Sequence, residues 1–420
     1  MPHTSSQPLA ERLWRRLASL GRGRLPDVVS FGAAMLAACL AALLATGLTG
    51  CGGGVGSEGT GSFASGSITG FGSVIVGGVH FDESSARLED EDGQAQDRSA
   101  LALGMVVQIT AGPASTQADG SSRAVASLVR SNRALQGPLQ SVDSALGRLQ
   151  LLGQTVLMSA DTVIDERLTG GLAGLVAGQW LQVHGFYDAS QTAFVATRIA
   201  WASSNMGARI SGPVDAVDRQ QKTFRIGGQT YHYSSLAEPA GLDNGVVLNL
   251  VLSSLTPDAG RWQVGTQSRK ADAPSQTAGA ELSGRISRIL SATRFELAGV
   301  VVDSSAAGVK GTLAVGSRVE VTGVLSGGVL LARKVSTSDD SHEQAKAYEL
   351  NGLVQTLDLA GRRLLLRDGV RDTVVGLGRS DLVFSKGRRS DLAVGRRLRV
   401  LAQPSSDRTL LEATEIRFDN

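Results

Sequence analysis

The phrase LAVGSRVEVTGV at residues 313–324 has four counterparts along the chain, and that recurrence limits the fold more than any other feature. The counterparts are LALGMVVQITA, LVAGQWLQVHGF, LDNGVVLNLVL and LAVGRRLRVLA. Upstream of each lies a second phrase that opens on a glycine and then gives two short alternating runs around a tight turn. The opening glycines, Gly66, Gly137, Gly212, Gly284 and Gly352, are spaced by 71, 75, 72 and 68 residues. Self-similarity at a fixed period marks one structural unit copied along a chain. Four of the five copies close on an Ala and an apolar pair, in RAVASLV, VATRIAW, LARKVS and LEATEIRF, whereas the third, ending in RWQVG, is degenerate there.

Alternation of apolar and polar residues is the period of a half-buried strand, not of a helix. In VIVGGVHF the pair Gly77-Gly78 stands between two β-rich runs, and FRIGGQTYHY repeats the device with Gly227-Gly228. Two glycines between such runs signal a two-residue hairpin, because the primed turns need positive φ. The glycines near residue 66 are therefore read as turn glycines and not as a phosphate loop. Each unit reads as about five short strands. So small a sheet must protect its edges, and a five-stranded, partly open barrel of the OB kind does so. The fold expected is all-β, a tandem array of five small OB-like barrels. Aromatic residues make up only 4% of the chain, so Val, Leu and Ile must fill the cores.

Residues 1–27 are polar and basic, residues 28–49 carry no charge, and Leu48-Thr49-Gly50-Cys51 then meets GGGVGSEGTGS. A basic segment, an apolar run and small residues form the pattern of an export signal. The Leu-Thr-Gly-Cys end resembles the lipobox of bacterial lipoproteins, which implies lipid on Cys51 as the first mature residue. Leu36-Ala37-Ala38-Cys39 fits the same box, but cleavage there would leave about eight apolar residues upstream, at the short end for an export signal. Cys39 and Cys51 are the two cysteines. With one removed and the other acylated, neither a thiol nucleophile nor a disulfide framework remains. By the same resemblance Gly52 after the Cys points to the outer membrane. Without residues 1–50 the balance is 36 basic to 37 acidic side chains, so the alkaline pI belongs largely to the leader. Residues 66–131 hold four basic and eight acidic side chains, residues 348–420 thirteen and ten, an asymmetry expected to be solvated surface.

The GSITGFGSVIVGGVHF opening, the LAxGxxVxV phrase and the lipobox together resemble bacterial lipoproteins of the family called domain of unknown function 5666. The resemblance implies tandem small β-barrel units and an envelope address, and no activity. The organisation expected is a signal peptide over 1–50 and a Gly/Ser tether over 51–65. Repeats follow over 66–134, 135–205, 206–263, 281–335 and 348–420, with linkers at 264–280 and 336–347.

No catalytic constellation is legible. GVGSEG lies in the tether, without the strand and helix that a dinucleotide fingerprint needs. LEDEDG places Leu88 where a calcium loop needs its first ligand, and reads as a charged hairpin tip. His80, His184 and His232 fall in expected strands without clustering, and no cofactor or metal site is expected. The run GRRSDLAVGRRLRV offers Arg388, Arg389, Arg396, Arg397 and Arg399 as a speculative anion patch, without the aromatics that nucleic-acid binding would use. Trp180, Trp201 and Trp262 are the tryptophans able to stack on sugar, Trp180 reading as core. The expectation is a non-catalytic envelope module, binding or spacing, tethered to the membrane through Cys51, with an envelope protein or polysaccharide as partner and no nucleic acid. The alternatives are a hydrolase with its site between repeats, or a glycan- or protein-binding adhesin.

Overall fold

The second repeat shows most directly how the alternating pattern becomes a barrel. Its strands are Leu135–Asp143, Arg148–Leu151, Gln154–Ile164, Trp180–Asp188 and Ala193–Trp201. The first pairs antiparallel with the second and the fourth, the third runs parallel to the fifth, and the fifth closes on the fourth. The order 1-2-3-5-4-1 is a complete ring, and Leu139, Leu149, Val156, Leu181, Val183 and Phe194 point into it. In the computed structural model, residues 61–234, 236–239, 241–338 and 346–419 are described. They belong to a unit spanning Glu58–Asn420. The expected signal peptide, Cys39, Cys51 and most of the tether lie outside the described residues.

The third, fourth and fifth repeats close in the same order. The first does so with its opening strand broken into Ser62–Ser67 and Gly70–Phe71. The fold is all-β, and each barrel is closed where a partly open one was expected. Closure pairs every edge strand, which removes the template for aggregation. Among the described residues the helical pieces are single 3-10 turns of three or four residues. No helix there is long and apolar enough to cross a membrane.

Gly77 and Gly78 take φ of 60° and 85° in a turn joining Val74–Val76 to Val79–Asp82. Two positive φ values make the turn type I′, which matches the strand twist. The glycines of the LAxG phrase, Gly104, Gly178, Gly245, Gly316 and Gly395, all lie at φ between 79° and 96°. At that angle a Cβ is strained, so each repeat spends a glycine there to turn into its fourth strand.

The expected linker at 264–280 starts too early, because the fifth strand of the third barrel runs Arg261–Arg269. RWQVGTQSR reads as polar since Gln263 and Gly265 face outward, while Trp262 and Val264 fill the barrel. The fourth barrel opens at Gly279, and its last strand ends at Ser338, within the other expected linker.

Consecutive barrels are not strung out in a row. The first strand of the first barrel pairs in parallel with that of the fourth, with Ser62 opposite Gly279 and Ala64 opposite Glu281. Gly70 and Phe71 pair with Glu349 and Leu350 of the fifth. Arg209 and Ile210 join the third barrel to the second. The cores merge accordingly: the first and fifth barrels share one apolar cluster, the second and third another, and Phe63 of the first completes that of the fourth. A domain of about 70 residues buries only ~60% of its surface and is marginal alone. Pooling the cores relieves that limit.

Candidate functional site

Part of the charge asymmetry of the sequence is used at these seams, although much of the basic excess, Arg396 and Arg397 included, is exposed. Glu83 of the first barrel is buried and accepts hydrogen bonds from Arg371 of the fifth at 2.9 Å and Arg98 at 3.2 Å. Arg371 also binds Asp368 at 2.8 Å and the carbonyl of Arg98 at 3.0 Å, with its guanidinium 3.8 Å above the Phe71 ring. Burial alone would raise the Glu83 carboxyl, but the Arg371 and Arg98 bonds outweigh it and hold the group below its usual range. The acidic LEDEDG run is no solvated tip. Arg130 binds Glu89 at 2.7 Å, Arg133 reaches Glu91 at 2.6 Å and Asp90 at 3.4 Å, and Arg209 binds Asp92. Asp90 folds the run by accepting from the amides of Asp92 and Gln94 at 3.0 and 2.9 Å. Arg130 and Arg133 belong to the first repeat and Arg209 to the third barrel, and Glu89 and Asp90 are buried. Among the described residues no cluster of three potential metal ligands occurs.

Where the first, second and fifth barrels meet, a cleft of about 980 Å³ remains. Its walls are Leu101, Leu103 and Met105 of the first barrel, Val163–Arg167 and Arg198 of the second, and Val370–Val374 with Pro404–Leu411 of the fifth. Ligand sites span roughly 300–1,000 Å³ and favour junctions between domains. Six arginines line it, Arg133, Arg167, Arg198, Arg363, Arg371 and Arg408, against Asp90, Asp165, Glu166 and Asp372.

Asp165 receives Arg167 at 2.7 and 3.0 Å and Arg198 at 3.1 Å. Burial would raise its carboxyl, yet the Arg167 bonds and the Arg198 charge outweigh that and depress it. Arg198 stands on the fifth strand of the second barrel and also donates to the carbonyl of Leu103 at 3.3 Å, tying two barrels together. Its Nε is buried without a hydrogen-bond partner. Arg408 bridges the fifth barrel to the second by donating to the carbonyls of Thr162 at 3.0 Å and Ala160 at 3.4 Å. Burial pulls the Arg198 and Arg408 guanidiniums below their ordinary values. At the rim Trp201 is 45% exposed, with the Arg167 guanidinium 5.4 Å from its ring centre.

The arginines singled out in the sequence lie elsewhere, and none lines the cleft. Arg389 donates to the carbonyl of Leu377 at 3.0 Å and sits 6.0 Å over Phe384. Arg399 binds Glu349 at 2.7 Å, and the Arg388 amide donates to Asp391 at 2.8 Å. Arg396 and Arg397 are exposed at the entry to the fourth strand of the fifth barrel. The histidines stay apart: His80 bonds Ser73 at 3.2 Å and His232 bonds Gln263 at 3.3 Å. His184 is fully buried between the Asn132 carbonyl and Gln182, both at 2.8 Å, and burial drives its pKa down to about 3. Trp262 is core, its Nε1 donating to Gln229 at 3.1 Å, and Trp180 is half-buried.

The cleft arginines were missed because no run of sequence contains them. Arg198 shares its repeat position with Lys334 and Glu415, so the closing phrase gave no consistent charge there.

None of the curated proteins matches the chain. Among solved structures, one described as drosophila Unr CSD456 aligns over 69% of this chain and 97% of its own, at 12% identity. The TM-score of 0.14 means the likeness carries no argument. Residues 136–200 and 283–336 each match the model of the domain of unknown function 5666. Those segments are the bodies of the second and fourth barrels, whose ring order the remaining three share, which is consistent with a chain that carries the domain in repeated form.

Proposed function

We propose that the chain is a non-catalytic binding module of the cell envelope, exported and held to a membrane by lipid on Cys51, with its ligand seated between the first, second and fifth barrels. The observation that carries the reading is the cleft of about 980 Å³ walled by three repeats. A spacer gains reach by stringing its units out, whereas here the first barrel pairs with the fourth and fifth. Fold-back of that kind sacrifices length and creates a walled junction. Asp165 is held ionised by Arg167 and Arg198, which disfavours it as a general acid. The lipid anchor rests on the Leu-Thr-Gly-Cys51 sequence and the Gly/Ser run after it.

Hydrogen–deuterium exchange of the full chain in detergent, with and without a small-molecule fraction of envelope extract, tests the binding reading. Protection confined to Val163–Arg167, Val370–Val374 and Pro404–Leu411 is the expected result, and unchanged exchange there counts against it. Radiolabelled palmitate should appear on the wild-type product and vanish in Cys51→Ser. Label that persists in that variant, or no label at all, contradicts the anchor.

A further inference from the structure

The cleft separates two kinds of charge. Its acids are largely spent: Asp165 holds Arg167 and Arg198, Asp90 holds Arg133 and two amides, and Asp372 takes Arg367 at 2.5 and 2.6 Å. Two of its six arginines, Arg363 and Arg408, form no ion pair among the described residues. Arg408 donates to the carbonyls of Ala160 and Thr162 and forms no direct ion pair among the described residues, with Asp161 acting on it only as a nearby charge. Arg363 is exposed on the second strand of the fifth barrel and makes no hydrogen bond or ion pair there. Arg198 leaves its Nε buried and unmatched. A guanidinium has five donors in a fixed fork and no way to shed its charge. Burial lowers the Arg408 and Arg198 values even though Asp161 stands near the first and Asp165 pairs with the second, so an added anion offsets that cost.

From these spare donors we infer that the cleft takes a ligand bearing oxyanion groups, phosphate or carboxylate, through Arg363 and Arg408. The inference rests on the binding reading above and adds the chemical class of ligand. Bidentate contact with planar or tetrahedral oxyanions is what a guanidinium does best. The stacked Arg167–Trp201 pair at the rim gives an organic body a flat surface to lie on. Pyrophosphate and citrate distinguish the two sources of charge.

The test is calorimetric titration of the full chain in detergent with inorganic pyrophosphate, citrate and neutral maltotriose, at low salt. Wild type should bind at least one of the two anions, more weakly as salt rises. Arg363→Gln, which breaks no side-chain hydrogen bond or ion pair, should lower that affinity about tenfold, as loss of one charged hydrogen bond implies. Arg408→Gln should do at least as much, with its melting temperature measured alongside because it loses the bonds to the second barrel. Arg397→Gln, outside the cleft, should bind as wild type does. Failure of both anions to bind overturns the inference, and so does equal weakening by Arg397→Gln. Exchange protection by envelope extract that survives Arg363→Gln and Arg408→Gln also overturns the oxyanion, while leaving the cleft as a site for a neutral ligand. Loss of all protection sinks the binding reading itself.

Discussion

Replacing Glu281 by Gln should make the protein more stable in base and leave it nearly unchanged in acid. Glu281 lies on the first strand of the fourth barrel, at a position that points outward from that barrel but is covered by the first. A Cβ built on Gly77 would stand 2.2 Å from the Glu281 Cγ, so the hairpin turn of the first barrel rests on this side chain. Burial raises the carboxyl from 4.5 to about 8, and Glu320 adds to the rise. Glu320 itself would also be raised by burial, but Lys346 outweighs that and keeps it below its usual range, so the two acids are driven apart. A raised folded value means that the folded state holds the proton more tightly than the unfolded chain. Stability is therefore full below about pH 4.5, falls as pH climbs towards 8, and levels off above. At 1.36 kcal/mol per decade the full span is ~5 kcal/mol, and relaxation towards Lys334 and Lys346 brings the expected loss to about 2–4 kcal/mol. Guanidinium unfolding followed by circular dichroism at pH 4.5, 6, 7.5 and 9 measures it. Glu281→Gln should remove most of the decline between pH 5 and 8.5. Parallel curves for the two proteins would refute the placement of this carboxyl beneath the turn.

Gly77→Ala should cost about 2 kcal/mol or more, since φ is +60° and the new methyl meets Glu281, while Gly78→Ala, at +85° with nothing within 4 Å, should cost only ~1 kcal/mol; equal melting points for the two variants would contradict this. Arg371→Ala leaves Glu83 buried with one fewer cation and should destabilise by about 3 kcal/mol in urea unfolding, and Arg371→Lys should recover only part of that because an ammonium cannot reproduce the fork. Arg98→Ala, on a side chain 36% exposed, should cost less than Arg371→Ala by the same measure.

The sequence made individual barrels legible because their grammar is local. Paired glycines at 77 and 227, the LAxG glycines and period-two alternation depend on φ and on inside–outside pattern within a few residues. The third barrel misled at its end because Gln263, Gly265 and Gln267 are polar outward positions of a genuine strand. The docking of barrels was not legible. Ser62 meets Gly279 and Gly70 meets Glu349 through backbone hydrogen bonds, which leave no residue-type signature. The acidic excess of residues 66–131 and the basic excess of residues 348–420 did carry a hint. Glu83 and Arg371 realise it as a buried pair, where isolated segments suggested only solvated charge. The cleft combines residues from three repeats, so its arginines become neighbours only after docking.

That fold-back is the feature from which the seams, the pooled cores and the cleft all follow. It places a Cβ built on Gly279 4.0 Å from the Cβ of Ser62, within the range a disulfide spans. In a chain carrying Cys39→Ser and Cys51→Ser, the pair Ser62→Cys and Gly279→Cys should oxidise within single molecules at high dilution. Peptide mass spectrometry should then recover a linked fragment containing both positions. Free thiols at both sites, or linkage found only between separate chains, would mean that the first and fourth barrels do not share a seam.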